Sequence, residues 1–328
     1  MKDTKHEMNA TRTDSLESGS GIVAPISELI RTRPDIGTTG FAPSGKVSTH
    51  QFGTNRSVFS GRGMEFDESR IYQPGDDVKT IDWRVTARTG EVHTKLFREE
   101  RERPVFVLLD CRHMMHFGTR VRFKSVLAAH IAAMLCWVGV DGGDRVGGFV
   151  LGQRGLRDFP ATRNRTGMLA FMHAMSEATR TVEPEPSMEP LLSQAVRRMR
   201  HVCRPGTLAF IISDYSDLDD IAQGEIKRLS VHAHVTNILI YDQLDEALPH
   251  RGDYRISDGE SVACLDQLGS KQRNEYASAF AERREQIESL SRKRAMAFHA
   301  MSTDVAPSTV LHPHRGKTSR RNSKRSSA

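Results

Sequence analysis

Two carboxylates stand where apolar runs end. Asp110 closes PVFVLLD, residues 104–110, and Asp214 follows TLAFIIS, residues 207–213. Runs of this kind read as strands buried on both faces, as in a parallel sheet. In an open α/β sheet, ligands sit beyond the carboxyl ends of the central strands. Asp110 and Asp214 are therefore candidates to bind a partner or ligand, or to be the acids of a metal-dependent hydrolase. The same two side chains are equally suited to cap strand ends and hold the adjoining loops. Beside them, Cys111 has Arg112 and His113 as neighbours, the positive surroundings and base that a nucleophilic thiolate needs. A small packed thiol is the commoner role for such a residue. His113 and His116, three apart, combine with Asp110 as a candidate transition-metal set, although paired histidines on a loop usually bind nothing.

Alternating elements must position these residues. After the strand 104–110 comes 119–140, with Val121, Val126, Leu127, Ile131, Met134, Leu135 and Val138 at helical spacing. Residues 145–151 read as the next strand, 168–179 and 188–202 as helices, 207–213 as a strand, 218–229 as a helix and 233–241 as a strand. Residues 254–256 and 262–265 suit a small edge ribbon, 271–294 a long charged helix and 297–301 a last strand. Strands alternating with helices imply right-handed crossovers and a doubly wound, mainly parallel sheet.

Upstream lies the densest stretch of the chain, residues 65–103, EFDESRIYQPGDDVKTIDWRVTARTGEVHTKLFREERER. Pro74-Gly75 is a tight turn. Asp76 or Asp77 is placed to cap a short helical segment running through Trp83 and Arg84, and the alternation in 91–97 predicts a strand. Acids and bases interleave, so an ion-pair network that fixes loop geometry is the leading reading, ahead of catalysis. Trp83 is expected to be largely buried, with Asp82 and Arg88 paired.

These residues resemble the signature of the bacterial DUF58 family, GxGxEFxExRxYxPGDDxRxIDWxxxAR. Gly61, Gly63, Glu65, Phe66, Glu68, Arg70, Tyr72, Pro74, Gly75, Asp76, Asp77, Ile81, Asp82, Trp83, Ala87 and Arg88 follow in order without a gap. The resemblance runs from about Gly53 to about Thr303 and implies a von Willebrand factor A-like domain after the signature. In A-like domains the strand ends carry a metal-ion-dependent adhesion site, with Asp-x-Ser-x-Ser at the first strand, a later threonine and a later aspartate. Here the first motif reads Asp110-Cys111-Arg112-His113-Met114, with Arg112 and Met114 in place of both serines. A guanidinium cannot ligate Mg²⁺, and a thioether is a poor ligand for it. Thr181 or Ser187 is the candidate for the loop position. No intact metal site is expected, and Asp110 with Asp214 would be its ligands if one existed. The site is read as a degenerate one that binds a partner through Asp110, Arg112 and Asp214, Arg112 receiving an acidic group in place of the ion. No cofactor is expected. The resemblance further implies work with a MoxR-type AAA+ ATPase, beside which such proteins are commonly encoded, in the assembly or maturation of client proteins.

Composition sets the outer limits. Lys and Arg outnumber Asp and Glu by 47 to 41. Six of those bases, Arg315, Lys317, Arg320, Arg321, Lys324 and Arg325, fall in residues 315–328, which hold no acid, so the rest balances at 41 of each. A nucleic-acid-binding protein acting through this tail is the alternative function, although the tail has no aromatic residue for stacking. The four cysteines match no zinc pattern. No secretory leader is visible, and the most apolar run, 126–140, contains His130 and is shorter than the roughly 20 residues that span a bilayer. A cytoplasmic protein without membrane insertion is expected. The division expected is a flexible polar segment 1–52, the signature segment 53–103, the A-like α/β domain 104–304 and a basic disordered tail 305–328. Its function is expected to be non-catalytic, that of an interaction module or adaptor.

Overall fold

A short helix, Ile26–Arg31 (α1), opens the computed structural model, which describes residues 21–34, 64–99, 103–180, 189–249, 255–257, 262–264 and 269–311. Pro25 precedes the helix, and its fixed φ suits a helix start. Leu29 within it and Ala24 before it are fully buried.

The signature stretch folds as a hairpin with a helical insert. Met64–Ile71 (β1) pairs antiparallel with His93–Glu99 (β2), Ile71 opposite His93. At the turn, the Asp76 amide donates to the Gln73 carbonyl at 3.0 Å, and Gly75 takes a φ of 108°, a conformation glycine adopts without strain. Asp77 caps a single 3₁₀ turn, Val78–Thr80. Asp82 caps the helix Trp83–Thr89 (α2), accepting from the Arg84 and Val85 amides at 3.1 and 3.2 Å. Further bonds tie the insert to β1. Arg70 meets Asp76 at 2.7 Å, the Tyr72 hydroxyl donates to the Asp76 carbonyl at 3.3 Å, and Ser69 donates to Asp82 at 3.0 Å.

Two expectations about this unit are corrected. Trp83 is 68% exposed, and Arg88 is exposed with no ion pair among the described residues. The cap explains the first. Asp82 turns inward to reach the helix amides, so the next residue starts the helix on its outer side, while Val85 and Thr86 are half-buried. Trp83→Ala is therefore expected to change stability by no more than about 0.5 kcal/mol, where a buried ring would give about 3–5 kcal/mol. Asp82→Ala is expected to lose about 1–2 kcal/mol through the cap. Urea denaturation of the two variants measures both, and the reverse ranking would contradict this placement. Side chains of Glu65 and its neighbours to Glu68 lie outside the described residues.

The second unit is a sheet of six strands. Pro104–Cys111 (β3) leads to the helix Lys124–Asp141 (α3) and then to Arg145–Gly152 (β4). Gly155–Thr162 (β5) returns antiparallel, followed by helices Arg165–Ala178 (α4) and Leu192–Val202 (α5). Thr207–Ser213 (β6), helix Asp220–Leu229 (α6), Ala233–Tyr241 (β7) and the short helix Gln243–Glu246 (α7) come next. A two-stranded ribbon, Arg255–Ser257 (β8) with Val262–Cys264 (β9), precedes the long helix Ser270–Lys293 (α8) and Ala297–Ser302 (β10). The strand order is β10-β7-β6-β3-β4-β5, parallel except for β5. This is the doubly wound A-like α/β fold. β5 is the strand that sequence reading missed. It carries Arg157, Asp158 and Pro160, which an edge strand tolerates and a central strand does not.

Alternation along β3 separates two cores. Val105, Val107 and Leu109 face α1, α3 and α4, while Phe106 and Leu108 face α5, α6 and α8. Helix α3 is long and apolar enough to cross a bilayer by length and composition, yet 83% of it is buried inside this domain. Residues 21–34 pack here and do not belong to a flexible segment. The Trp137 indole donates to the Leu29 carbonyl at 3.3 Å, the Ala24 amide to Thr179 at 3.0 Å, and Arg33 pairs with Asp141 at 2.7 Å. At the other end, Val310 and Leu311 are buried against the same core, so the packed chain runs past residue 305. Residues 1–20, 35–52 and 312–328 lie outside the described residues.

Candidate functional site

The chain leaves β3 toward β4 on one side and later returns to place β6 on the other. The switch point therefore falls between the carboxyl ends of β3 and β6, where a doubly wound sheet opens a crevice. Asp110 and Asp214 both lie there, as expected, and a third strand end, that of β7, brings Asp242 beside them. All three aspartates are buried.

Arg112 dominates the β3 side. Its Nε and Nη2 donate to the two oxygens of Asp110 at 3.0 and 2.7 Å. Nη1 and Nη2 donate to the two oxygens of Asp217 at 2.6 and 2.8 Å, and Nη1 also reaches the Pro190 carbonyl at 3.3 Å. Five N–H groups thus meet five acceptors. Burial opposes the charge on Arg112, but the bonds to Asp217 and Asp110 outweigh it and hold the guanidinium protonated far above its ordinary range. Burial pushes the Asp110 carboxyl above the usual carboxylate range, with Arg112 opposing. Ser213 also donates to Asp110 at 2.7 Å and accepts from the Tyr215 amide at 2.9 Å.

A second buried cation serves the β6 side. Lys124, 2% exposed at the start of α3, donates to Asp214 at 3.0 Å and stands 3.4 Å from Asp245. Burial alone would raise the Asp214 carboxyl, but the charge and hydrogen bond of Lys124 hold it below its ordinary value. Asp242 accepts from the Thr119 and Thr303 hydroxyls, both at 2.6 Å, and its own amide donates to Asp245 at 2.8 Å. The turn that aims Asp214 is unusual. Tyr215 has a φ of 54° with its side chain fully buried, its hydroxyl donating to the Ile211 carbonyl at 3.0 Å. A non-glycine residue in the left-handed region is uncommon and persists where its surroundings fix it.

The expected residues Asp110, Arg112 and Asp214 are thus together, but Arg112 is spent internally. Its side chain is buried and every N–H faces an acceptor of its own chain, so it has none to offer a partner's carboxylate. Its expected role in recognition becomes one of holding three loops together, those after β3, after β6 and before α5. The residues do not fit a divalent ion either. Both carboxylates that would ligate it already bear fixed cations, and Arg112 and Met114 replace the serine donors. Thr181 and Ser187 lie outside the described residues. Cys111 is buried, and burial together with the Asp110 charge pushes its thiol well above its ordinary range, the reverse of an activated nucleophile. His116 shares a hydrogen bond of 3.0 Å with the Cys111 carbonyl, and burial lowers its pKa. His113 is exposed, its amide donating to Glu189 at 2.8 Å. Among the described residues no three His, Cys, Asp or Glu side chains group as metal ligands.

Sequence reading missed Lys124, Asp217, Asp242 and Asp245. One signal was available. Asp242 follows the apolar strand 233–241 in the way that Asp214 follows 207–213. Nothing in the sequence marked Lys124, which sits among apolar residues as a core position would.

Residues 68–286 match the family described as "Protein of unknown function DUF58". Uncharacterized proteins of Mycobacterium bovis and Mycobacterium tuberculosis are 30% identical over 237 residues, covering 72% of this chain and 73% of theirs. Solved structures with a related fold include BatB from Bacteroides thetaiotaomicron, at 15% identity and TM-score 0.42 over 63% of this chain and 93% of that one. Another is an aerotolerance-related membrane protein from Bacteroides fragilis, at 15% identity and TM-score 0.41 over 63% and 96%. A von Willebrand factor type A structure from Catenulispora acidiphila matches at 12% identity and TM-score 0.32 over 67% and 42%. The cytoplasmic placement expected above is corrected by the second of these. That neighbour is a membrane protein, and an apolar run read from sequence as too short to span a bilayer is no evidence of a cytoplasmic location.

Proposed function

The chain belongs to the DUF58 family, and from that premise we propose that it is a non-catalytic protein-interaction module, an adaptor for a MoxR-type AAA+ ATPase acting on client proteins. One observation carries the reading. At the sheet end where A-like domains hold an ion, this chain supplies two buried cations of its own, Arg112 on Asp110 and Asp217, and Lys124 on Asp214 and Asp245. Carboxylates committed in this way are poor acids, bases or ligands, and they make a rigid frame. Asp110, Arg112 and Asp214 then fix the shape of a binding face without themselves touching the partner. The ATPase partnership is the part taken from the family resemblance.

Affinity capture tests it. The full chain is expected to retain a MoxR-type ATPase equally with Mg²⁺ and with chelator present, and its melting temperature is expected to be the same in both, since a bound ion would stabilise the folded state. Capture lost on chelation, or a chelator-dependent melt, would show that the face needs an ion after all. Failure to retain the ATPase in either condition would remove the partnership.

A further inference from the structure

Two surfaces of this chain leave large apolar side chains in water, and they carry opposite charge. The first is on the signature unit. Trp83 is 68% exposed and Val78 62%. The outer face of α2 also presents Arg84, Ala87 and Arg88, so that Trp83 with Ala87 and Arg84 with Arg88 form two i,i+4 pairs. Neither arginine has an ion pair among the described residues. The second surface is the carboxyl-end face. Arg112 draws its three loops together, and around that ion pair Met114 is 52% exposed, Leu191 41% and Ile221 64%. Glu189, Asp217, Asp219 and Asp220 stand among them, the last two exposed, while His113 and Arg112 are the only bases in residues 112–114, 189–192 and 214–221.

We propose that α2 of one copy docks on the carboxyl-end face of a second copy, with Trp83 against Met114, Leu191 and Ile221, and with Arg84 and Arg88 toward Asp219 and Asp220. The inference goes beyond the adaptor reading and needs no other partner. Tryptophan and arginine are the side chains that most often dominate interfaces, and opposite charge at the rim sets register and speeds encounter. A second copy is favoured over the chain's own face because Trp83, Met114, Leu191 and Ile221 all stay exposed in the folded chain. A nucleic acid is disfavoured because residues 1–314 balance acids against bases and the outer face of α2 offers two arginines, too few for a basic stripe that tracks a phosphate backbone. The contact is heterologous, head to tail, so it builds a ring or an open chain.

Light scattering and sedimentation of the full chain across concentration and salt test this. Association is expected, weakening as salt rises. Trp83→Ala should weaken it by at least about tenfold with the circular dichroism spectrum unchanged. Arg84→Glu with Arg88→Glu, and separately Asp219→Arg with Asp220→Arg, should each be monomeric, and mixing the two proteins should restore association because each then complements the other. A wild-type chain that stays monomeric up to its solubility limit overturns the proposal, as does association that Trp83→Ala leaves unchanged. Should a charge-reversed protein fail to fold, Trp83→Ala and the salt series decide alone. A monomeric wild type that still retains the ATPase would overturn self-association and spare the adaptor reading.

Discussion

Arg112→Met is expected to lower the free energy of unfolding by about 3–5 kcal/mol, the loss found when one partner of a buried charge pair is removed. The size follows from what remains. Asp110 is 0% exposed, and its surviving side-chain donor would be Ser213. Asp217 would keep the Leu192 amide at 2.8 Å but lose both guanidinium bonds. Arg112→Lys is expected to recover part of the loss. It returns the charge but not the planar fork that spans two carboxylates and a carbonyl. Arg112→Met combined with Asp110→Asn should also recover part, since the uncompensated buried charge then disappears. Urea denaturation of the four proteins, each checked for an unchanged m-value, measures the series. A single Arg112→Met variant as stable as wild type would mean that the pair is not the buried lock described.

How much of this was legible beforehand differs by level. The sheet was readable because its central strands are continuous apolar runs, and length with flanking turns then separates strand from helix. β5 was not, because an edge strand obeys weaker rules, and Arg157, Asp158 and Pro160 break the pattern that identified the others. Asp110 and Asp214 were found because an acid directly after an apolar strand is conspicuous. The chemistry around them was half readable. Arg112 at a serine position argued against an ion, but one sequence could not tell whether its guanidinium faces outward to a partner or inward to its own chain. That depends on Asp217, a residue 105 positions away. Lys124 was invisible for a related reason. A lone lysine at the start of an apolar helix normally reaches for water, and only the meeting of α3 with the ends of β6 and α7 provides Asp214 and Asp245 for it. Trp83 failed in the opposite direction. A large ring in a charged stretch suggests a buried anchor, whereas the cap made by its neighbour Asp82 leaves it outside. For Arg112 and Lys124 the local rules were sound and the error lay in contacts distant in sequence, whereas for Trp83 it lay in a cap one residue away.

Lys124→Met gives the second large expected effect, and its pH dependence separates it from simple loss of packing. Met matches the stem of lysine, so the apolar contacts largely remain while Asp214 and Asp245 lose their cation. About 3–5 kcal/mol is again expected at neutral pH. In the wild type, Asp214 is held below its ordinary value by Lys124 against the upward push of burial. Asp217 and Asp242 are held low as well, burial again opposing, by Arg112 in one case and by the Thr119 and Thr303 hydroxyls in the other. Carboxylates with depressed folded pKa values contribute stability that is complete above their unfolded value of about 3.9 and is lost as pH falls through the folded values. These aspartates by themselves keep stability level down to about pH 4, while His130, which burial lowers to about 4, and His116, also lowered by burial, make it fall below about pH 6.5 in wild type and variant alike. Without Lys124, burial acts on Asp214 against only the Ser216 amide, at 3.1 Å, and the charge of Arg283, and the folded pKa is expected to move above the unfolded one. The sign then reverses. At Asp214 the folded variant takes up a proton more readily than the unfolded chain, so mild acidification removes part of its deficit relative to the wild type. The deficit of Lys124→Met should be widest near pH 7 and narrow as pH approaches 4. Parallel stability curves for the two proteins over that range would show that Asp214 does not depend on Lys124 for its charge.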